Sequence, residues 1–429
     1  MSEPDKGSDK GNARGQGNGA EHGTARAIAK ADATIARIAK RGALRLSEAE
    51  IAALRAAPPT HELAQKMLGA HAFNAGDYAG ALHHCQNAYH VSRSPENEAN
   101  LLSALQRRGK LREAMALIAA SPHLEAQTRE GRLAELHLRA GDPQAARTHG
   151  SRALALKDAG APPSPDPRPD PVLRAFDPQA RGRNIIAYSL FGHNARYHQG
   201  ALRNAMVVKY LYPSWTPRFY IDASVPKTTR AGLAAQGAQL REVPKLEAGR
   251  YGLFWRFLVE DDESVDFYLV RDADAVPNAK EAAAVAAWLR AGQPFHLMRD
   301  FPSHAELILA GMWGAQRGNL SGMGRAIMAH VKSRASTLNA RADDQMFLRD
   351  WVWPQMRGRV LQHDSQFEFE GARPFPAGFD LPDGMHIGQD DSAAPARAMA
   401  GGTAGKRADR DTGKDRGKGA GKDRGKDQG

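Results

Sequence analysis

The chain has 429 residues, 42% of them apolar, and a formal net charge of +11. That length leaves room for two or three domains of about 100 to 200 residues each. A single cysteine, Cys85, excludes an internal disulfide framework and a cysteine-rich zinc site, and reads as a small hydrophobe packed in a helix. From Arg397 onward ten Lys/Arg stand against five Asp, so the tail supplies +5 of the charge and only +6 remains for the other 396 residues. The charge argument for a core that binds nucleic acid specifically is therefore thin. No 18-residue apolar run occurs, so no transmembrane segment is expected. The polar first residues lack the apolar stretch of a secretory signal. The expected location is cytoplasmic, with room for peripheral attachment at the inner membrane face.

Residues 1–24 bury too little apolar surface to offset chain entropy and read as disordered. Residues 25–157 read as α-helical. Ala25 to Ala57 predicts two helices joined near Arg41-Gly42 and ending at Pro58-Pro59. From His61 a repeat appears: Gly76-Asp77-Tyr78-Ala79-Gly80-Ala81-Leu82 is echoed by Gly109-Lys110-Leu111-Arg112-Glu113-Ala114-Met115 and Gly141-Asp142-Pro143-Gln144-Ala145-Ala146-Arg147, at offsets of 33 and 32 residues. Each unit reads as helix, glycine-containing turn, and a second helix whose alanines permit close packing. Pro162-Pro163 through Pro171 marks a Pro-rich linker over 158–178, a semi-rigid spacer at a domain boundary.

After the linker, strands alternate with helices. Strands are predicted at 183–191, 218–222, 239–243, 267–270 and 295–298, with helices at 200–211, 228–236, 253–260, 279–289, 319–335 and 342–352; the segment 359–363 follows with no element assigned. The fold class is α/β over 179–392, with a Rossmann-like, mixed, mostly parallel sheet preceded by an all-α helical-repeat domain. Residues 393–429 read as a disordered basic tail.

In such sheets ligands lie beyond the carboxyl ends of the strands. That rule selects Ser189 and Gly192, Asp222, and Asp272 and Asp274, which follow strands and should face one crevice. Asp-x-Asp suits a hard divalent cation with oxygen ligands, and such a cation can hold a diphosphate. The spacing alone is weak, since about one copy is expected by chance. A second copy, Asp409-Arg410-Asp411, lies in the tail where no strand precedes it. Arg271 and Arg256 could assist a cation, with a structural ion pair the stronger reading for Arg256. Asp300 ends another strand, and Gly311 sits in the apolar run 307–313 where a backbone comes close to a ligand.

Taken in order, SLFG at 189–192, Tyr197, Gly200-Ala201, YPSW at 212–215, RFYIDASVP at 218–226, FWRF at 254–257, RDAD at 271–274, LAGMWG at 309–314, DDQMFL at 343–348 and HIG at 386–388 resemble bacterial glycosyltransferase-like proteins of the GT-A type. The resemblance covers about half the chain. It implies a nucleotide-sugar donor, a divalent metal (Mn2+ or Mg2+) on Asp272 and Asp274, and an acceptor that is a glycan, a lipid or a protein. Glycogenin-like and lipopolysaccharide galactosyltransferases add a late His-x-x-Gly, here His386-Ile387-Gly388 and one residue shorter, which makes His386 the implied third metal ligand. On the same analogy Asp344 is the catalytic carboxylate, with Asp343 its alternative, and Gln345, Ser189, Tyr197, Asp222, Arg271, Asp300 and Gly311 are on the substrate side. The helical units resemble a degenerate tetratricopeptide repeat, which implies a binding surface for a protein partner. The competing expectation is a transferase-fold adaptor without catalysis that acts through those repeats.

Overall fold

The computed structural model describes residues 15–41, 46–243, 252–302, 304–334, 343–382 and 385–389. Expectations at 1–14, at the Gly42 to Arg45 junction and over 390–429, including Asp409-Arg410-Asp411, lie outside the described residues, as do Ala335 and Ala342 at the ends of two predicted helices.

Among the described residues eight helices come first: α1 (Gly15–Arg41), α2 (Glu48–Arg55), α3 (Glu62–Asn74), α4 (Tyr78–Val91), α5 (Pro95–Arg107), α6 (Leu111–Ala120), α7 (Ala126–Arg139) and α8 (Pro143–Gly160). Helix α1 begins ten residues before Ala25, so residues 15–24, expected to be disordered, are helical. Once a helix is nucleated each added residue brings its own hydrogen bond, and the polar stretch extends the apolar one. Within α3/α4, α5/α6 and α7/α8 the turn carries a left-handed glycine, with φ of 78° at Gly76, 68° at Gly109 and 81° at Gly141. A Cβ is penalised there, which accounts for the recurrence of glycine at this point. Five residues on, Ala81, Ala114 and Ala146 are each fully buried. Asp77 and Asp142 cap the second helix of their pairs by accepting a backbone N–H, whereas Lys110 at the same place makes no side-chain cap.

Among the described residues the sheet has seven strands: β1 (Asn184–Leu190), β2 (Thr216–Ile221), β3 (Gln239–Glu242), β4 (Phe267–Val270), β5 (Phe295–Arg299), β6 (Trp313–Gln316) and β7 (Val360–Asp364), in the order β3-β2-β1-β4-β6-β5-β7. All neighbouring pairs are parallel except those of β6, which runs antiparallel to β4 and β5. Strands β1 and β4 are buried at every position, as unbroken apolar runs covered on both faces should be. Helices α9 (Ala195–Leu211), α10 (Lys227–Ala235), α11 (Ala279–Ala291) and α12 (Met323–Ser333) cover it, and α13 (Asp343–Phe347) continues through a wide π turn at Leu348–Val352 into α14 (Trp353–Met356). Pro354 has no N–H to return to the carbonyl four residues back, which favours the wider turn. The predicted helix at 253–260 is instead a tighter 3-10 coil, Gly252–Asp261, that buries Phe254, Trp255 and Phe257. The run 307–313 is a bend, and only its last residue enters β6.

The Pro-rich segment is not a free spacer. Arg168 donates to the Arg357 carbonyl at 2.7 Å, Val172 N–H to Asn319 Oδ1 at 3.0 Å and Arg174 N–H to Gln316 Oε1 at 2.6 Å, so it lies along the sheet domain. Helix α8 reaches further in. Ala153 and Leu154 belong to the same hydrophobic core as Trp313, Trp353 and Phe367, and Trp353 Nε1 donates to Asp158 at 2.6 Å. The helical and α/β parts share buried surface, and their mutual placement follows from packing.

Candidate active site

Because β1, β2, β4, β5 and β7 run the same way, Leu190, Ile221, Val270, Arg299 and Asp364 end at one edge of the sheet. The backbone N–H of Arg271 still donates to Ala187 at 3.1 Å, and then the chain turns, closed by Ala275 N–H on Asp272 O at 3.3 Å. This turn carries Asp272 and Asp274, and its neighbours shape it. From α9, Asn204 Nδ2 donates to Ala273 O at 3.0 Å. Gly200 lets α9 lie directly on that carbonyl, since a Cβ there would overlap Ala273 O and Asp274 Cα. On the other side a Cβ at Gly311 would overlap the Asp272 carboxylate. Two glycines therefore make space for two carboxylates.

The turn opens into a cavity of about 730 Å³ lined by Ser189, Phe191, Arg196, Tyr197, Leu253, Arg256, Asp272, Asp274, Asp344 and Gln345, among others. Arg256 is its electrostatic centre. The guanidinium is buried, bonded to Asp272 through Nη1 and to Asp344 through Nη2 at 3.1 Å. Its backbone N–H donates to Ser189 Oγ at 3.0 Å, which ties the 3-10 coil to the end of β1. Burial works against its charge, but Asp272 and then Asp344 hold its pKa above the ordinary value. Asp274 pairs with Arg196. Among the described residues, three carboxylates thus share two guanidiniums at an open cavity, an excess of one negative charge in that set. Burial pushes the carboxyl of Asp274 up, with Arg196 opposing and Asp272 adding to the rise. Burial raises Asp344 too, against Arg256.

The structure brings Ser189, Tyr197, Asp272, Asp274, Asp344 and Gln345 together in this cavity, with Gly311 directly behind Asp272. Asp343 is buried beside Asp344 and does not line it. The other expected residues are elsewhere. Arg271, placed by the sequence at the ligand, is fully buried: Nε bonds Glu281 at 3.1 Å and Nη1 donates to the carbonyls of Val270 and Trp313. The pleat turns it away from its neighbour Asp272. Asp222 accepts from Ser224 N–H at 3.0 Å, and Ser224 Oγ accepts from Gly192 N–H at 2.6 Å, so it braces the loops after β1 and β2 and does not line the cavity. Asp300 pairs with Lys280 at 3.0 Å and accepts from Ile387 N–H at 3.1 Å. His386 does not line the cavity with Asp272 and Asp274, although Gly388 does; its ring groups with Asp300 and His304. Burial, with His386 alongside, lowers His304 to about 3.

Arg196 and Asn204 went unnoticed in the sequence, and Arg256 was underrated. The signal for Arg196 was the helix cap: Asn194 accepts from the Arg196 backbone N–H, which puts that residue in the first turn at the sheet's carboxyl edge.

A second cleft, about 410 Å³, lies between α7 and the α/β part and is lined by Thr128, Arg132, Glu135, Lys157, Glu306, Arg349 and others. Gln345 lines both cavities.

No family model matches the chain, and no curated protein matches it. Among solved structures it is similar to an O-GlcNAc transferase mutant from Thermobaculum terrenum, at 17% identity and a TM-score of 0.33 over 57% of this chain and 46% of that one. It is also similar to a mannosyltransferase from Pyrobaculum calidifontis in complex with GDP-Man and Mn2+ (14%, TM-score 0.31, 56% and 67%) and to glucosyl-3-phosphoglycerate synthase from Mycobacterium tuberculosis in complex with Mn2+, UDP and phosphoglyceric acid (15%, 0.26, 46% and 74%). The chain spans about half the length of the first of these. No helix among the described residues is long and apolar enough to cross a membrane.

Proposed function

We propose that this chain is a divalent-cation-dependent glycosyltransferase that uses a nucleotide-sugar donor. The observation that carries the reading is the carboxylate excess at the open end of β4, where Asp272, Asp274 and Asp344 share Arg256 and Arg196 in one cavity. The ordered motifs that resemble GT-A enzymes support it, and so does the strand edge on which the cavity lies. Asp272 and Asp274 offer the hard oxygen ligands that Mn2+ or Mg2+ prefers, and an excess negative charge beside a cavity is what such an ion neutralises. The bound ion would offset the charge of the departing diphosphate.

The chain's own residues have separate tasks. Arg256 and Arg196 donate to phosphate oxygens, exchanging part of their carboxylate bonds for the ligand. Phe191 and Leu253 offer an apolar wall for the nucleobase. In the transfer, the bond from the sugar C1 to the β-phosphate oxygen breaks, the acceptor oxygen bonds to C1, and the acceptor's proton passes to Asp344. A carboxyl raised by burial suits that role. The acceptor, a glycan, lipid or protein, approaches past Gln345 from the cleft beside α7, which gives the tetratricopeptide-like pairs a part in binding it.

The test is turnover by the full chain. With UDP-, GDP- and dTDP-sugars, each with Mn2+, with Mg2+ or with chelator, chromatography should show cation-dependent release of nucleoside diphosphate from one donor class, and Asp274→Asn should abolish it. No release from any donor by a folded sample would favour the adaptor reading.

A further inference from the structure

Outside the donor cavity, the carboxylate of Asp300 and the rings of His304 and His386 converge, one ligand atom from each lying within 4.8 Å of the other two. The two imidazoles meet nearly edge to face, their centroids 4.6 Å apart at 87°, and Phe301 packs on His386 at 4.3 Å. Their hydrogen bonding is that of ligands held in place. His386 Nδ1 lies 2.8 Å from the carbonyl of Ile387. A carbonyl only accepts, so Nδ1 carries the proton and Nε2 keeps a lone pair. His304 Nδ1 is buried and has no hydrogen-bond partner among the described residues. An orphaned buried nitrogen costs free energy unless something binds it. Asp300 is fixed by the Ile387 N–H at 3.1 Å to Oδ1 and 3.2 Å to Oδ2, with Lys280 Nζ at 3.0 Å from Oδ2.

We propose that Asp300, His304 and His386 form a three-ligand site for a borderline transition metal such as Zn2+, distinct from the Asp272–Asp274 cavity. Two imidazoles and one carboxylate favour Zn2+ or Co2+ over the hard ions that suit oxygen-only ligands, and three protein ligands leave one position for water. Lys280 holds Oδ2 of Asp300, which leaves Oδ1 for the metal, and its charge also lies 4.6 Å from the ring of Phe375. The metal clips the end of β5 and the loop that carries Phe301 and His304 to segment 385–389. That segment contributes Gly388 to the donor cavity, so the metal fixes part of the cavity's wall without touching the donor.

The experiment uses the full chain, freed of metal with a chelator and titrated with Co2+ while visible d–d absorption is read. The intense band of four-coordinate Co2+ should saturate at one equivalent, any Co2+ on the oxygen ligands of the donor cavity absorbing only weakly, and His304→Gln and His386→Asn should each weaken the binding that gives this band by about tenfold or more. Asp272→Asn should leave the band unchanged. Absence of a band, the same band in both histidine variants, or loss of the band in Asp272→Asn would each overturn the proposal. A measurement on the unaltered protein covers misfolding of the variants: diamagnetic Zn2+, which acts locally, should move the NMR ring signals of two of the sixteen histidines far more than the rest, and movement of none or of most alike would overturn it.

Discussion

Two buried arginines stand on either side of the end of β4, and their surroundings differ in one respect. Arg271 meets a single carboxylate, Glu281, and both are sealed from solvent. Arg256, equally buried, meets Asp272 and Asp344, and Asp272 is 40% exposed to the cavity. Counted over the described residues, charge is balanced and closed in the first cluster, and unbalanced and open in the second. A balanced buried pair has nothing left to bind, and breaking it leaves an unpaired charge in a medium that solvates it poorly. An excess carboxylate beside a cavity can bind a cation. Burial of an arginine therefore does not separate structure from function here, whereas the charge count around it does.

The largest effect should come from removing the excess. Asp272→Asn with Asp274→Asn should lower cation-dependent nucleotide affinity about a hundredfold or more, read by calorimetry, while the thermal midpoint changes little. Unchanged affinity would remove the pair from the mechanism. Next in size, Arg271→Met should destabilise the chain by about 3–5 kcal/mol through the stranded Glu281, with nucleotide affinity per folded molecule unaltered. Full stability with lost affinity would mean that the two arginines had been assigned the wrong way round.

These assignments show how much the sequence could say. The alternation of strands and helices as far as β5, the mostly parallel character of the sheet and the aspartates at its edge were legible because apolar runs end abruptly in charge and because ligands gather beyond strand ends, whereas β6 and β7 were not read as strands. Arg271 was misplaced because a residue next to Asp272 reads as its partner until the pleat is applied. Arg256 was underrated because its partners are 16 and 88 positions away in the chain, a relation no local pattern carries. His386 was assigned by analogy to the aspartates, yet the path of the chain after 384 puts it beside His304, whose role no motif announced. The linker read as a spacer because proline composition shows stiffness and not what the backbone lies against.

A smaller effect should follow from Gly311→Ala. The added methyl overlaps the Asp272 carboxylate, and the displacement should cost about 1–3 kcal/mol of stability and weaken cation-dependent binding about tenfold. Alanine binding as well as glycine would show that Asp272 need not stand where it does.

The gentlest probe is pH. Asp274 and Asp344 have raised pKa values in the folded chain, so they hold protons that the unfolded chain has already lost. Without ligand, their contribution to stability is full below the ordinary carboxylate value of 3.8 and is lost as pH rises through the raised folded values. Cation binding has the opposite sign, because the ion needs the deprotonated forms. Affinity should fall by up to about tenfold per pH unit for each proton taken up, beginning above the pH at which an ordinary aspartate titrates. Calorimetry of Mn2+ binding between pH 4 and 8 checks this, and a flat profile would exclude both groups from the ion's surroundings.

The central claim is that the open cluster binds a cation and a nucleoside diphosphate together and the closed one does not. Its most direct test is Mn2+ electron paramagnetic resonance on the full chain with UDP and with GDP, in the unaltered protein, in Asp272→Asn with Asp274→Asn, and in Arg271→Met. The account predicts that the free Mn2+ signal is depleted with at least one nucleotide in the unaltered chain and in Arg271→Met, and is restored in the aspartate variant. Equal depletion in all three, or none in the unaltered chain, would contradict it.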